Sequence, residues 1–197
     1  MNSIQVFCGS SSGKNPVYAT IAQDLGYLLA EKGIDLVYGA GNVGLMGVLA
    51  DAALEKNGTV IGVIPHFLMD KEVGHTGISE LILVDSMHIR KVRMYERSEG
   101  TIVLPGGFGT LDELFEMLTL VQLGQQQHPI GILNAFGFFD PLLAQLDQMV
   151  KEQFLKPFHR AILLDAPDAE SLISKMENYQ TPEAQGKWWT DLPKEAK

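Results

Sequence analysis

The sequence predicts an α/β protein: a doubly wound, mainly parallel seven-stranded sheet with helices on both faces. Short apolar or β-branched runs alternate with segments of helical period, the pattern of βαβ units whose sheet is covered on both sides. Right-handed crossovers then wind the sheet in two directions from its centre, and ligands of such sheets sit beyond the carboxyl ends of the strands. Three loops at that edge are rich in glycine or serine, Gly9 to Gly13, Gly39 to Gly47 and Gly106 to Gly109, and a site is expected where they converge.

Taken in order, Ile4 to Cys8 is the first strand, and Asn15-Pro16 supplies an N-cap and a first-turn proline for a helix to about Lys32, closed by Gly33. Ile34 to Tyr38 is the second strand, and the helix after its glycine loop ends at Asn57-Gly58. Thr59 to Ile64 is the third, ended by Pro65 and followed by a loop from His66 to Ser79, long enough to suggest a functional role. Leu81 to Val84 is the fourth strand, and Asp85 or Ser86 caps a helix through about Glu99. Thr101 to Leu104 is the fifth and Ile130 to Leu133 the sixth. Asp140-Pro141 starts a helix, Ala161 to Leu164 is the seventh strand, and Pro167 to Asn178 a last helix. Residues 1–180 read as a single domain and 181–197 as a C-terminal tail, whose Trp188-Trp189 pair is expected to pack on the globule or on a neighbouring subunit.

A net charge of −9 argues against a nucleic-acid backbone as partner, which would call for a basic face. No apolar run reaches the length of a membrane span and Met1 to Ser10 lacks the basic start of a signal peptide, so a cytoplasmic location is expected. The lone Cys8 has no internal disulfide partner and reads as a small buried strand-end residue. The five histidines show no paired zinc spacing, and neither a metal nor a cofactor is expected. Ser10 to Ser12 lack a nucleophile elbow and read as hydrogen-bond donors.

The chemistry concentrates in Thr101 to Glu116, TIVLPGGFGTLDELFE. Pro105 ends the strand, Gly106, Gly107 and Gly109 let a ligand approach bare backbone, and Thr110 can cap the helix through Leu111, Leu114, Leu118 and Val121. Unpaired N–H groups and the positive dipole end there favour a phosphate. Thr110-x-x-Glu113 is equally a capping box, in which Glu113 only reaches back to the cap amide. Gly39-x-Gly41-x-x-Gly44 matches a dinucleotide fingerprint, but no ribose-binding acid ends the strand at Val60 to Pro65, so the loop is read as a close-approach turn for a smaller ligand. Arg90, Arg93 and Arg97 share one helical face. Arg90 or Lys91 lies near enough to the strand edge to reach a phosphate, while Arg93 and Arg97 belong to the surface or an interface.

Pro105 to Glu113, with Gly41-Asn-Val-Gly-Leu-Met-Gly47 and Met87-His-Ile-Arg-Lys91, resembles the LOG family, the cytokinin riboside 5′-monophosphate phosphoribohydrolases. The PGGxGTxxE signature is complete, and the similarity runs from the first strand to about Asn178. The resemblance implies a Rossmann-like fold, a homodimer or higher oligomer, and hydrolysis of the N-glycosidic bond of a nucleoside 5′-monophosphate to free base and ribose 5-phosphate. By position it implies Arg90 and Glu113 as the catalytic pair. It also implies nucleotide or phosphate contacts at Ser10, Gly41, Glu72, Lys91, Gly106, Gly107, Phe108, Gly109, Thr110, Leu111, Asp112 and Thr119. Similar chains were long labelled lysine decarboxylases, yet nothing here identifies a pyridoxal-phosphate lysine. Gly39-Ala40-Gly41 departs from the three glycines of many relatives, and alanine, being small, is expected to change little. N6-modified adenosine monophosphate is the expected substrate; plain AMP hydrolysis and a non-enzymatic nucleotide or phosphorylated-cofactor carrier are the competing functions.

Overall fold

The structure, a computed structural model, describes residues 1–69 and 74–181. Along the chain the elements are β1 (Ser3–Phe7), α1 (Val17–Glu31), β2 (Asp35–Tyr38), α2 (Gly44–Glu55), β3 (Val60–Pro65), α3 (His66–Met69), β4 (Glu80–Val84), α4 (Met87–Glu96), β5 (Thr101–Val103), α5 (Phe108–Gln122), β6 (Ile130–Leu133), α6 (Asp140–Lys151), α7 (Pro157–Arg160), β7 (Leu163–Ala166) and α8 (Ala169–Glu177), with a single 3-10 turn at Ala135–Gly137. The strands lie in the order β4-β3-β2-β1-β5-β6-β7, and every adjacent pair is parallel.

Alternation along the strands divides the interior into two layers. Ile4, Val6, Leu36, Tyr38, Ile102 and Leu104 pack with buried residues of α1, α2 and α8. Their neighbours Phe7, Val37 and Val103 pack on the opposite side with Met94, Leu114, Met117 and Leu146 of α4, α5 and α6. Both faces being covered, the strands are apolar at nearly every position, as two-sided burial demands. Between α1 and α2 the approach is close because Gly26 has no side chain: a Cβ there would strike the Leu49 carbonyl and the Ala52 methyl.

The chain winds from β1 outward to β4, returns through α4 to β5 beside β1, and winds outward the other way to β7. This reversal opens a crevice between the carboxyl ends of β1 and β5. There the Gly9 N–H donates to the Pro105 carbonyl at 3.0 Å and the Leu45 N–H to the Gly9 carbonyl at 3.1 Å, so three loops meet.

Several boundaries differ from the sequence reading, most by a residue or two. α4 stops at Glu96 rather than near Glu99, because the Glu99 N–H donates to the Ser3 carbonyl at 3.0 Å and its carboxylate accepts from the Asn2 N–H at 2.8 Å, pinning the start of β1. β7 begins at Leu163 rather than Ala161 because Ala161 and Ile162 complete the turn of α7, donating to the Pro157 and His159 carbonyls. The segment after Pro65 opens with the helical turn α3, and Gly74 forms an isolated antiparallel bridge with Gly41. α5 begins at Phe108 with Gly107 as N-cap, so Thr110 is its third residue and not its cap. Thr181 donates its hydroxyl to the Gln127 carbonyl at 3.2 Å; the rest of the tail, with Trp188 and Trp189, lies outside the described residues.

Candidate active site

At the crevice, residues from five elements, Met46 of α2 among them, enclose a cleft of about 270 Å³. Cys8, Gly9 and Ser10 follow β1; Gly39 follows β2; Met87 and Arg90 come from the first turns of α4; Gly107, Phe108, Gly109, Thr110 and Glu113 come from the start of α5. A wider groove of about 650 Å³ between α1 and α8 is lined by Asp24, Glu31, Asp168 and Glu170. Those four carboxylates would repel a phosphate, so an anionic ligand selects the smaller cleft.

The phosphate end of the cleft is set by backbone. With Gly107 as N-cap, the first N–H groups of α5 have no intrahelical acceptor and face outward from the helix start. A Cβ on Gly107 or on Gly109 would meet nothing within 4 Å, so the space over this turn is open to a ligand. Behind it, a Cβ on Gly106 would collide with the Thr110 hydroxyl. Because Thr110 stands inside the helix, the capping box of Thr110 with Glu113 does not form. The Glu113 side chain faces the cleft instead, although the residue is only 9% exposed.

Opposite lies Arg90, 5% exposed. The Ser86 hydroxyl accepts from the Ile89 N–H at 3.2 Å and starts α4, placing Arg90 in the next turn at the sheet edge. Its Nη2 donates to the Gly39 carbonyl at 3.2 Å, and Nη1 lies 3.7 Å from the Met87 sulfur. Any side chain at residue 39 would overlap that guanidinium, so Gly39 is the condition for Arg90 to occupy this place. Cys8 lines the same cleft and feels both charged groups. Burial pushes its thiol far above the ordinary range, with the Glu113 charge adding and the Arg90 charge opposing. A thiol held neutral in this way is part of the wall and not a nucleophile.

The cleft thus gathers Ser10, Arg90, Gly107 to Thr110 and Glu113. Other expected contacts lie elsewhere in this chain. Lys91 Nζ stands 2.6 Å from Asp112 and 2.5 Å from Glu116, joining α4 to α5. Although burial opposes it, these bonds hold the Lys91 ammonium above its ordinary value. Leu111 packs against the α5-side core. Gly106 lines an adjoining cavity of about 260 Å³ with Tyr18, Leu45 and Phe138, which shares Gly9, Ser10 and Gly107 with the cleft. A Cβ on Gly41 would meet the Met46 side chain. Thr119 donates its hydroxyl to the Phe115 carbonyl at 2.7 Å and lines a separate cavity with Leu146, His159 and Arg160. Glu72 lies outside the described residues. Arg93 pairs with Glu96 at 2.8 Å and Arg97 with Glu80 at 3.1 Å, both on the surface as expected. Ser11 accepts the Gly13 N–H at 3.3 Å, which leaves its own hydroxyl proton to donate.

Sequence reasoning did not single out Met46 and Met87 as cleft residues, nor the Gly39 carbonyl as the partner of Arg90. Met87 had a signal in its place one turn before Arg90; the carbonyl had none, because a backbone acceptor has no letter. Among the described residues no group of three or more His, Cys, Asp or Glu could hold a metal ion, and no helix is long and apolar enough to cross a membrane.

Residues 46–176, about two thirds of the chain, match a family model described as possible lysine decarboxylase. A probable cytokinin riboside 5′-monophosphate phosphoribohydrolase of Oryza sativa subsp. japonica is 48% identical over 174 residues, covering 88% of this chain and 77% of the relative. The enzyme called LOG from the same organism is 44% identical over 188 residues, 95% and 78% of the two chains. A cytokinin riboside 5′-monophosphate phosphoribohydrolase of Arabidopsis thaliana is 45% identical over 175 residues, 89% and 77%. Solved structures share the fold. The molybdenum cofactor binding protein of Rippkaea orientalis aligns with a TM-score of 0.66 at 23% identity over 90% of this chain and 96% of its own. The molybdenum cofactor carrier protein of Chlamydomonas reinhardtii aligns with a TM-score of 0.64 at 18% identity over 90% and 96%. On extended identity to several of its members, the chain belongs to the LOG family, the cytokinin riboside 5′-monophosphate phosphoribohydrolases.

Proposed function

We propose that the protein hydrolyses the N-glycosidic bond of an adenosine 5′-monophosphate, preferably N6-modified, releasing the free base and ribose 5-phosphate. The observation that carries this is the facing of Arg90 and Glu113 across one cleft that ends at the bare N-terminus of α5. The substrate phosphate accepts hydrogen bonds from the first N–H groups of α5 over Gly107 to Thr110, and this remote binding aligns the sugar. As the bond from C1′ to the base nitrogen breaks, its electrons leave with the base and the sugar becomes oxocarbenium-like. The Glu113 carboxylate faces that cation, or accepts a proton from the water that adds to C1′. The Arg90 guanidinium stabilises the charge on the departing base or orients the phosphate-anchored substrate. No step needs a cofactor. Met46 and Met87 give the cleft an apolar surface for the base.

Incubation with AMP and with isopentenyladenosine monophosphate, each beside its nucleoside, tests this reading. Base should be released from the monophosphates and not from the nucleosides; equal release from both would remove the phosphate site from the argument. Faster turnover of the isopentenyl substrate supports a cytokinin-releasing role, and preference for AMP makes the protein a plain AMP nucleosidase. Binding without release would make it a nucleotide carrier. Glu113→Gln should lower kcat by about 10²-fold or more while KM stays within a few-fold.

A homodimer is part of the proposal. Ile89 and Val92 of α4 and Phe108 and Phe115 of α5 are exposed apolar residues, with Phe108 95% exposed at the cleft mouth, and a second copy would cover them. Val92→Glu should shift the sedimentation of the protein toward monomer. The acidic balance leaves nucleic acid and anionic membrane surfaces outside the expected partners, and the protein is proposed to act in the cytoplasm.

A further inference from the structure

The carbonyl that holds Arg90 belongs to a loop which is itself held from the segment before β4. The His75 N–H donates to the Ala40 carbonyl at 2.8 Å, and Gly74 pairs with Gly41 in an isolated bridge. Between these two contacts Ala40 adopts φ 60°, a left-handed conformation that an alanine keeps only under outside support. The next residue back is Gly39, whose carbonyl accepts from Arg90.

His75 is 8% exposed, and both of its ring nitrogens are engaged. Nδ1 accepts the Gly77 N–H at 3.1 Å, and Nε2 lies 3.0 Å from the Asp51 carboxylate on α2. The first bond requires an unprotonated Nδ1, so the Nε2 proton is the one donated to Asp51. Two bonds of fixed sense hold the ring in one orientation. The ring does not line the cleft, so contact with a ligand there does not account for it.

We propose that His75 is a positioning residue for Arg90. Pegged to α2 through Asp51, the imidazole holds residues 74–77 against Ala40; this fixes the left-handed turn and keeps the Gly39 carbonyl aimed at Nη2 of Arg90. The proposal rests on the reading of Arg90 as a catalytic group. It predicts that His75 acts on turnover only through Arg90, since the ring does not line the cleft.

The test is a double-mutant comparison, with kcat and KM for AMP measured on wild type, His75→Ala, Arg90→Lys and the double variant. Hydrogen exchange of the amides of residues 38–42 is followed in parallel. His75→Ala should lower kcat by about 10- to 100-fold with KM within about threefold, the signature of a misaimed group and not of lost binding. In the Arg90→Lys background the same change should cost less than about threefold. His75→Asn keeps an acceptor for the Gly77 N–H but loses the Asp51 tether, and should fall between wild type and His75→Ala. An equal loss in both backgrounds, or an unchanged kcat in His75→Ala, overturns the proposal. If His75→Ala does not fold, His75→Asn takes its place in the same cycle. If wild type releases no base from any monophosphate, or Arg90→Lys has no measurable turnover, exchange decides. Faster exchange over residues 38–42 in the His75 variant sustains the clamp, and unchanged exchange rejects it, whether or not the reaction assignment stands.

Discussion

Two glycine loops border the cleft, and they use glycine for opposite purposes. In the loop after β5, side chains on Gly107 and Gly109 would point into empty space. In the loop after β2, every corresponding position is crowded: at Gly39 by the Arg90 guanidinium, at Gly41 by Met46, at Gly44 by the backbone of Ser10 and Ser11. Apart from Gly106, which is crowded by Thr110, one loop is bare toward a ligand and the other toward the protein. The comparison teaches that a fingerprint of glycines identifies close approach without saying what approaches. In the Gly39 to Gly44 fingerprint, read from the sequence as a close-approach turn for a small ligand, the glycines make room for an arginine and two neighbouring segments.

Substitutions that add one methyl sharpen this contrast. The largest effect is expected at Gly44, where φ is +63° and the added carbon would meet rigid backbone. Gly44→Ala should destabilise the protein by about 3 kcal/mol, combining left-handed strain with overpacking, as read by urea denaturation. At Gly39 the obstacle is the far end of a long side chain, which can move. Gly39→Ala should therefore leave the melting temperature nearly unchanged while lowering kcat by about 10²-fold, because a displacement of about 1 Å is enough to misalign a catalytic group. Gly109→Ala should do the reverse of Gly44→Ala. In the first turn of α5 alanine is the better helix former, so stability should hold or rise by up to about 1 kcal/mol, while KM for the monophosphate rises about 10-fold as the methyl enters the phosphate's space. If Gly109→Ala left KM unchanged, the open loop would not be the phosphate site and the contrast would lose its functional half.

The smallest effect is expected at Ala40. Glycine would relieve the strain at φ 60°, but it would also free the unfolded chain and remove a buried methyl packed where Gly62 leaves room. The relief is about 1–2 kcal/mol, and the two losses together come to about 1.5 kcal/mol, so Ala40→Gly should lie within about 0.5 kcal/mol of wild type in thermal denaturation. The expectation of little change at this departure from a triple glycine therefore rests on cancellation, not on alanine being small.

Much of the architecture was legible because its causes are local. Strand runs such as Ile130 to Leu133 are read directly from apolar sequence bounded by turn residues, and helix starts such as Ser86 and Pro141 follow from caps and a fixed φ. Errors fell where a residue had a distant claim on it. Glu99 left its helix to tie down the start of β1, and Thr110 lost the cap position to Gly107, whose extended backbone starts the helix three residues earlier.

The sequence by itself determined the doubly wound α/β class, the phosphate-favouring turn at Pro105 to Thr110 and the candidacy of Arg90, because periodicity, glycine spacing and charge are properties of contiguous residues; the candidacy of Glu113 came from the resemblance to the LOG family. Only the tertiary structure decided which glycines face a ligand and which face protein. It also decided that Lys91 is engaged with Asp112 and Glu116, that Thr119 lies in another cavity of the chain, and that Arg90 is aimed by a carbonyl 51 residues away along the chain. The physical reason is that backbone acceptors and empty volume carry no side-chain signature, and they acquire partners only when parallel strands bring remote loops to one edge of the sheet.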